Sequence, residues 1–332
     1  LLGNSSKESS AIFRRIRTCT AMLVTLALAA CHEEPTTSSL KVGVSDWAGN
    51  DILYIAEGAE YFAQDRVHLV HIPKSANLLQ ALRDGSLDSA VMPLSQAISW
   101  NEMGLNLTMV LALSSSDGAH AVAFKPEITS LAELRNLSIA AERNSEAEFL
   151  LKRMMGEQGL SVGDINFIET QVHKATASLF SGAVDAAVLK GADIEIARER
   201  GYNILFTSAD ISEEMLDVLV IKSDLLVENE EQIRELVVAW RTAREKYGDD
   251  YKGAILPSGI KSIEQLQASL NTVKLATLSE NLSLMAQDGR AFDEFMFARE
   301  KSLTGQTVTR KDISLPKVDS RFIFFTQVPG AN

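Results

Sequence analysis

The chain has 332 residues, 46% of them apolar, and a net charge of −12. That apolar content over that length builds a sizeable core and excludes an intrinsically disordered protein, while the acidic balance argues against a nucleic-acid partner. Two cysteines in the whole sequence, Cys19 and Cys31, exclude a disulfide-rich scaffold.

Residues 1–30 read as a secretory leader. Arg14, Arg15 and Arg17 precede an apolar run over 21–30, too short to cross a bilayer as a helix, and Leu28, Ala29 and Ala30 stand directly before Cys31. Small residues before a cysteine are similar to the bacterial lipobox, in which that cysteine is lipidated and becomes the new N-terminus. An ordinary leader cut nearby is the other reading. Cleavage before Cys31 leaves 28 basic and 43 acidic side chains, a net charge of −15, and a single cysteine that cannot form an intrachain disulfide. No later stretch reaches 18 unbroken apolar residues, so beyond the lipid the protein is expected to be exported and soluble, in the periplasm or at the cell surface.

Residues 31–39, with Glu33, Glu34, Pro35 and a Thr/Ser run, read as a tether or a disordered end. A first strand over 40–45 leads through the turn 46–51 into a helix reaching about Ala63, with Asn50 or Asp51 as cap. A strand over 67–72, a helix over 76–83 and a strand over 88–94 complete a βαβαβ unit with a parallel sheet. A helix over 96–103 precedes strand-like runs at 107–113 and 119–124, and the Ser-Ser-Ser-Asp-Gly stretch between them suits a crossover or ligand loop. Ser130 with Glu133, and Ser145 with Glu148, have capping-box spacing, and strands are expected over 137–141 and 165–170. A strand over 217–221 returns to the first sheet, a long helix carries Ile233, Leu236, Trp240 and Tyr247, and further helices fall near 263–270, 278–286 and 292–298.

One pattern occurs twice. Leu82, Gly85, Leu87, Asp88, Ala90, Val91 and Met92 have counterparts 97 residues on, at Leu179, Gly182, Val184, Asp185, Ala187, Val188 and Leu189. Each copy reads as a helix ending at a glycine cap, a turn, and an aspartate that opens an apolar strand. Strand ends of open α/β sheets face ligands, so two such ends predict two lobes around one cleft, although two ordinary helix-turn-strand units would also produce the pattern. The expected organisation is a first lobe over 40–124 and 212–304, a second over 125–211, an irregular tail over 305–332, and two crossings, near Phe124 and Ser212, that form a hinge.

Trp47, Gly49, Tyr54 and Ala56 after the first strand, the two half repeats, and Ser130, Leu131 and Leu134 before the second lobe carry a family resemblance. Over residues 40–250 the chain resembles bacterial solute-binding proteins of the nitrate, sulfonate and taurine type, which share a family with the yeast-type thiamine-pyrimidine synthase. The resemblance implies an α/β, two-lobed type II periplasmic-binding-protein fold and a monomeric receptor that hands a small-molecule solute to an ABC permease. Presentation of the ligand to a membrane sensor is the alternative. The enzyme branch of the family shows a cysteine-rich stretch and a histidine that is consumed, whereas this chain after cleavage has Cys31 alone, so no enzyme is expected. The chain also has Asn144-Ser145 where many members have Gly-Ser.

Several residues are candidates for ligand contact. Trp47 either stacks on a flat or methylated ligand or folds over the core edge, and Asn50 shares its turn. Asn144 and Ser145 open a helix and offer side-chain and backbone groups to an anion, or serve as a plain cap. Ser95 and Gln96 hold the equivalent place in the first lobe, and Ser116 and Asp117 lie where the family's crossover loop lines the cleft, or form a solvated turn. Arg143 and Lys190 suit a carboxylate or sulfonate, while Asp46, Asp117, Glu142 and Glu146 favour a cation, so a zwitterion or cation fits as well as nitrate. His68 and His71, three apart on a strand, face opposite sides and make no metal pair, and His120 and His173 stand alone. No Gly-rich phosphate loop, nucleophile elbow or zinc motif is present, so neither cofactor nor metal is expected.

Overall fold

A computed structural model describes residues 39–73, 75–143, 145–254, 262–285, 292–294, 296 and 315–324. The leader, the tether up to Ser38, Cys31, Asn144 and most of the stretch 286–314 lie outside them. No helix among the described residues is long and apolar enough to cross a membrane.

Short apolar runs become strands, and the chain sorts them into two sheets. The first βαβαβ unit is β1 (Leu40–Val44), α1 (Asp51–Gly58), β2 (Val67–His71), α2 (Ser75–Asp84) and β3 (Ser89–Pro93), with β1 parallel to both β2 and β3. Then come α3 (Leu94–Glu102), β4 (Leu107–Ser116) and β5 (His120–Phe124). The next stretch holds β6 (Ser138–Ala141), α4 (Glu146–Glu157), β7 (Asn166–Glu169), α5 (Val172–Phe180), β8 (Ala186–Lys190), α6 (Ala192–Glu199) and β9 (Asn203–Thr207). Beyond it are β10 (Leu216–Lys222), α7 (Glu230–Tyr247), α8 (Ile263–Leu270), β11 (Val273–Leu275), α9 (Leu278–Met285) and β12 (Lys317–Val318).

The larger sheet runs β11-β4-β10-β3-β1-β2 with β12 also on β4, and the smaller runs β7-β6-β8-β5-β9. β10 lies antiparallel between β3 and β4, and β5 lies antiparallel between β8 and β9. Alternate residues of β5 serve opposite faces. Val122 and Phe124 join the core under α4, while Ala121 and Ala123 pack toward Leu179 and Ile194 on the other side. Both faces of this sheet are covered, which is why its central strands are apolar throughout.

The two half repeats are one device built twice. Gly85 and Gly182 take positive φ, at 80° and 76°, and end their helices. Asp88 Oδ2 then accepts the Lys41 backbone N–H at 2.9 Å, and Asp185 Oδ2 accepts the Ser138 backbone N–H at 2.9 Å, so each aspartate pins the start of the neighbouring parallel strand. The Ser138 hydroxyl and Lys125 hold the Asp185 carboxyl at about 2.

Several expectations need correction. Ser114, Ser115 and Ser116 are not loop but the buried end of β4, because each packs beside β10 or β11. The run ending at Phe124 belongs to the smaller sheet, so the first crossing precedes it and occupies the turn between Ser116 and His120 rather than lying near Phe124. The helix expected to reach Ala63 stops at Gly58. Part of the presumed irregular tail returns to the large lobe, where β12 pairs with Thr108 and Met109 and Phe322 is fully buried. The Ser130–Glu133 capping box is formed. Ser145 caps α4 by accepting the Ala147 N–H at 3.1 Å, while Glu148 is drawn to Arg143 and Lys152 at 3.5 and 3.2 Å.

Ser208 ties the two crossings together. Its Oγ accepts the Gly118 and His120 backbone N–H groups at 2.9 and 3.2 Å and shares a hydrogen bond with the Ser116 hydroxyl at 2.8 Å. The residue is fully buried, so the segment after β9 is welded to the segment after β4 at one point.

Candidate functional site

A cavity of about 680 Å³ opens between the two sheets, at the carboxyl ends of β1, β3 and β8. Both half repeats deliver a strand end to it, Pro93 from the first and Lys190 from the second. This is the position that parallel topology reserves for ligands, because side chains beyond the last ladder hydrogen bonds are free to converge there.

Trp47 forms one wall. Its indole N–H donates to Ser114 Oγ at 3.3 Å, and its ring stacks on His120 with centroids 5.7 Å apart and planes at 29°. The Lys190 ammonium lies 4.8 Å from the centre of the same ring. The loop can come this close because residue 49 is glycine: a Cβ there would collide with the Ser114 hydroxyl and crowd the indole nitrogen. A partner from each sheet therefore meets at Trp47.

Asp217 sits at the base, 8% exposed, at the start of β10. Burial, and then the charge of Glu146, push its carboxyl well above the usual carboxylate range, against the pull of Lys190 and of the nearby Trp47 indole. Glu146, at the start of α4, accepts a hydrogen bond from the Ser95 hydroxyl at 2.7 Å, a direct bond between the two lobes. His120 is buried to 6% exposure, and its pKa is driven down to about 3 by burial and then by Lys190, so the ring is neutral. Ser116 Oγ lies 3.1 Å from His120 Nδ1, a hydrogen bond that holds the ring in place.

The candidates read from the sequence divide. Trp47, Ser95, Gln96, Ser145 and Lys190 line the cavity. Asn50 does not, because it is 1% exposed and its amide donates to the Ser45 carbonyl at 3.1 Å, beneath the loop. Ser116 lies behind His120, and Asp117 is on the crossing turn, with its N–H on the Thr272 carbonyl at 2.8 Å. Arg143 points away to Glu169 at 3.1 Å with its guanidinium over Phe167, so its charge is already matched. Asn144 is outside the described residues. Asp217 and His120 join the cavity in addition to the residues expected from the sequence. Their signal is a lone polar residue at the head of an apolar strand, Leu216-Asp217-Val218 and Ala119-His120-Ala121. His71 is paired with Asp46 at 2.7 Å, and no group of three or more metal-ligating side chains exists among the described residues.

Residues 50–248 match the family model described as NMT1/THI5 like. No curated protein matches the chain. Among solved structures it is similar to the ligand-binding component of an ABC-type import system from Staphylococcus aureus with zinc bound. That likeness has 16% identity and a TM-score of 0.64 and covers 86% of this chain and 98% of that one. It is also similar to the periplasmic aliphatic sulphonate binding protein from Escherichia coli, at 18% identity and a TM-score of 0.57 over 89% of this chain and 98% of that one. A third is the alkanesulfonate-binding protein from Xanthomonas axonopodis pv. citri bound to MOPS, at 18% identity and a TM-score of 0.55 over 79% of this chain and 93% of that one. The shared architecture is the two-lobed α/β fold of periplasmic binding proteins.

Proposed function

The chain belongs to the NMT1/THI5-like family, and from that premise we propose that it is a lipid-anchored extracytoplasmic solute-binding protein. It captures one small polar organic solute between its lobes and delivers it to an ABC permease. The observation that carries this reading is the cavity of about 680 Å³ lined from both sheets, which has the size of a small-ligand pocket. The paired crossings at Ser208 support hinge closure over the solute. The similar structures described as ABC import and sulfonate-binding components support the transport half of the proposal. Anchoring through Cys31, a monomeric state and a periplasmic or cell-surface location belong to the same proposal. Binding rather than catalysis is favoured because a chain cleaved before Cys31 keeps that cysteine alone and so lacks the cysteine-rich stretch of the family's enzymes.

The test is solution scattering of the Cys31→Ser protein with a panel of candidate solutes first screened by thermal melting. A ligand at about 100 times its Kd adds roughly 2.7 kcal/mol, which registers as a rise of several degrees. The expected result is a smaller radius of gyration with the stabilising solute. A tightly bound solute that leaves the scattering curve unchanged counts against lobe closure. Trp47→Ala is expected to weaken binding of that solute by about 1–3 kcal/mol. Wild-type affinity in that variant removes the indole from the site.

A further inference from the structure

The charge balance of the cavity points to a substrate class that the sulfonate-binding relatives do not share. Among its described lining residues are five carboxyl side chains, Asp46, Glu142, Glu146, Asp193 and Asp217, and one ammonium, that of Lys190. A carboxylate cluster by itself is no site, and some of these groups have other duties: Asp46 holds His71, and Asp193 accepts the Thr176 hydroxyl at 2.6 Å. Two further groups carry the argument.

The first is Asp217, more than nine-tenths buried and lining the cavity beside Trp47, with a carboxyl group that offers roughly four acceptor positions when ionised. The second is His120, equally buried and lining the same cavity. Its Nδ1 is used by Ser116, and its Nε2 has no hydrogen-bond partner among the described residues. Spare acceptors in a buried pocket call for donors, since an acceptor left dry costs about 1–3 kcal/mol. Lys190 is held over Trp47 and acts on both Asp217 and His120, so it serves as internal counter-charge. A sulfonate placed here adds a negative charge and three more acceptors to a pocket already rich in both.

Resting on the solute-receptor reading, we infer that the ligand is an amine- or amidine-bearing organic cation whose N–H groups are received by Asp217 and Glu146, beside the neutral His120 ring. The pocket rejects simple anions by like-charge repulsion. A cation arriving beside Asp217 favours its ionised form, as Lys190 already does, whereas Glu146 and burial oppose it. Binding therefore releases a proton, and affinity rises with pH until Asp217 is ionised in the free protein.

The experiment is titration calorimetry of the full chain with propylamine, 1,4-diaminobutane and agmatine on one side and ethanesulfonate and MOPS on the other. Each probe is run in two buffers of different ionisation enthalpy to count protons. At least one amine is expected to bind with proton release and to lose at least tenfold in affinity in Asp217→Asn. Glu146→Gln serves as the second variant should the first fail to melt cooperatively, and Glu195→Gln, on an exposed helical face, should bind like the wild type. A sulfonate that binds as well as or better than every amine overturns the charge assignment while keeping the receptor reading. Failure of all the amines at millimolar concentration overturns it too. Native mass spectrometry then separates the two readings, because a co-purified anion or neutral molecule keeps the receptor.

Discussion

Lowering the pH from about 7 to about 4 should cost the protein about 3 kcal/mol of stability through His120 alone, at 1.36 kcal/mol per pKa unit. The folded-state pKa of the ring is about 3, depressed by burial and then by Lys190, against about 6.5 in the unfolded chain. Between those values the unfolded chain holds a proton that the native state does not. Stability therefore rises with pH across that window, is complete above about 6.5, and is lost as pH falls toward 3. Asp217 acts with the opposite sign. Its folded pKa is raised, so it favours the native state at low pH and loses that contribution as pH rises through the folded value. The difference between wild type and His120→Gln isolates the histidine. Denaturant midpoints of the two proteins across this range should converge as the pH falls, and parallel pH profiles would show that the ring is not buried neutral.

Arg153→Ala is expected to destabilise the fold by about 3–5 kcal/mol, the range for breaking a buried ion pair on one side. The side chain is 7% exposed and grips Glu214 in a two-pronged contact, Nε to Oε2 at 2.6 Å and Nη2 to Oε1 at 2.7 Å. Removing the guanidinium strands a carboxylate that is 20% exposed. The position matters as much as the energy, because Arg153 is on α4 of the smaller lobe and Glu214 is in the second crossing, two residues before β10. Loss of the pair should loosen that crossing, so amide exchange should quicken over 208–216 more than in β8. Removing both partners should cost less than the sum of the single changes, and a double-mutant cycle measures the difference. Additive single effects would mean that the pair carries no coupling.

The family resemblance was legible because it rests on local rules. Gly85 and Gly182 end helices, Asp88 and Asp185 open strands, and those strands are apolar, so the repeat by itself predicts two lobes. The serines at 114–116 were misread for an equally physical reason. Three hydroxyls in a row look like a solvated turn, yet each finds a place within the sheet or on its neighbours, with Ser114 under Trp47 and Ser116 on His120 and Ser208. The site was half legible. Trp47, Ser95, Gln96, Ser145 and Lys190 were found because strand ends and helix starts are marked in sequence, whereas Arg143 was misplaced because nothing local reveals that Glu169 and Phe167 lie beside it.

The sequence by itself determined the two sheets, their helices and the family, since periodicity, caps and turn residues act over a few positions and are written along the chain. Only the tertiary structure decided the character of the cavity. Residues 46, 95, 120, 146, 190 and 217 come from six separate strands, helices and turns, and their meeting sets which carboxyl is buried, which imidazole is neutral and which charge is already balanced. Those properties belong to distances and desolvation between groups far apart in the chain, because a charge feels the medium and the neighbours around it and not its place in the sequence.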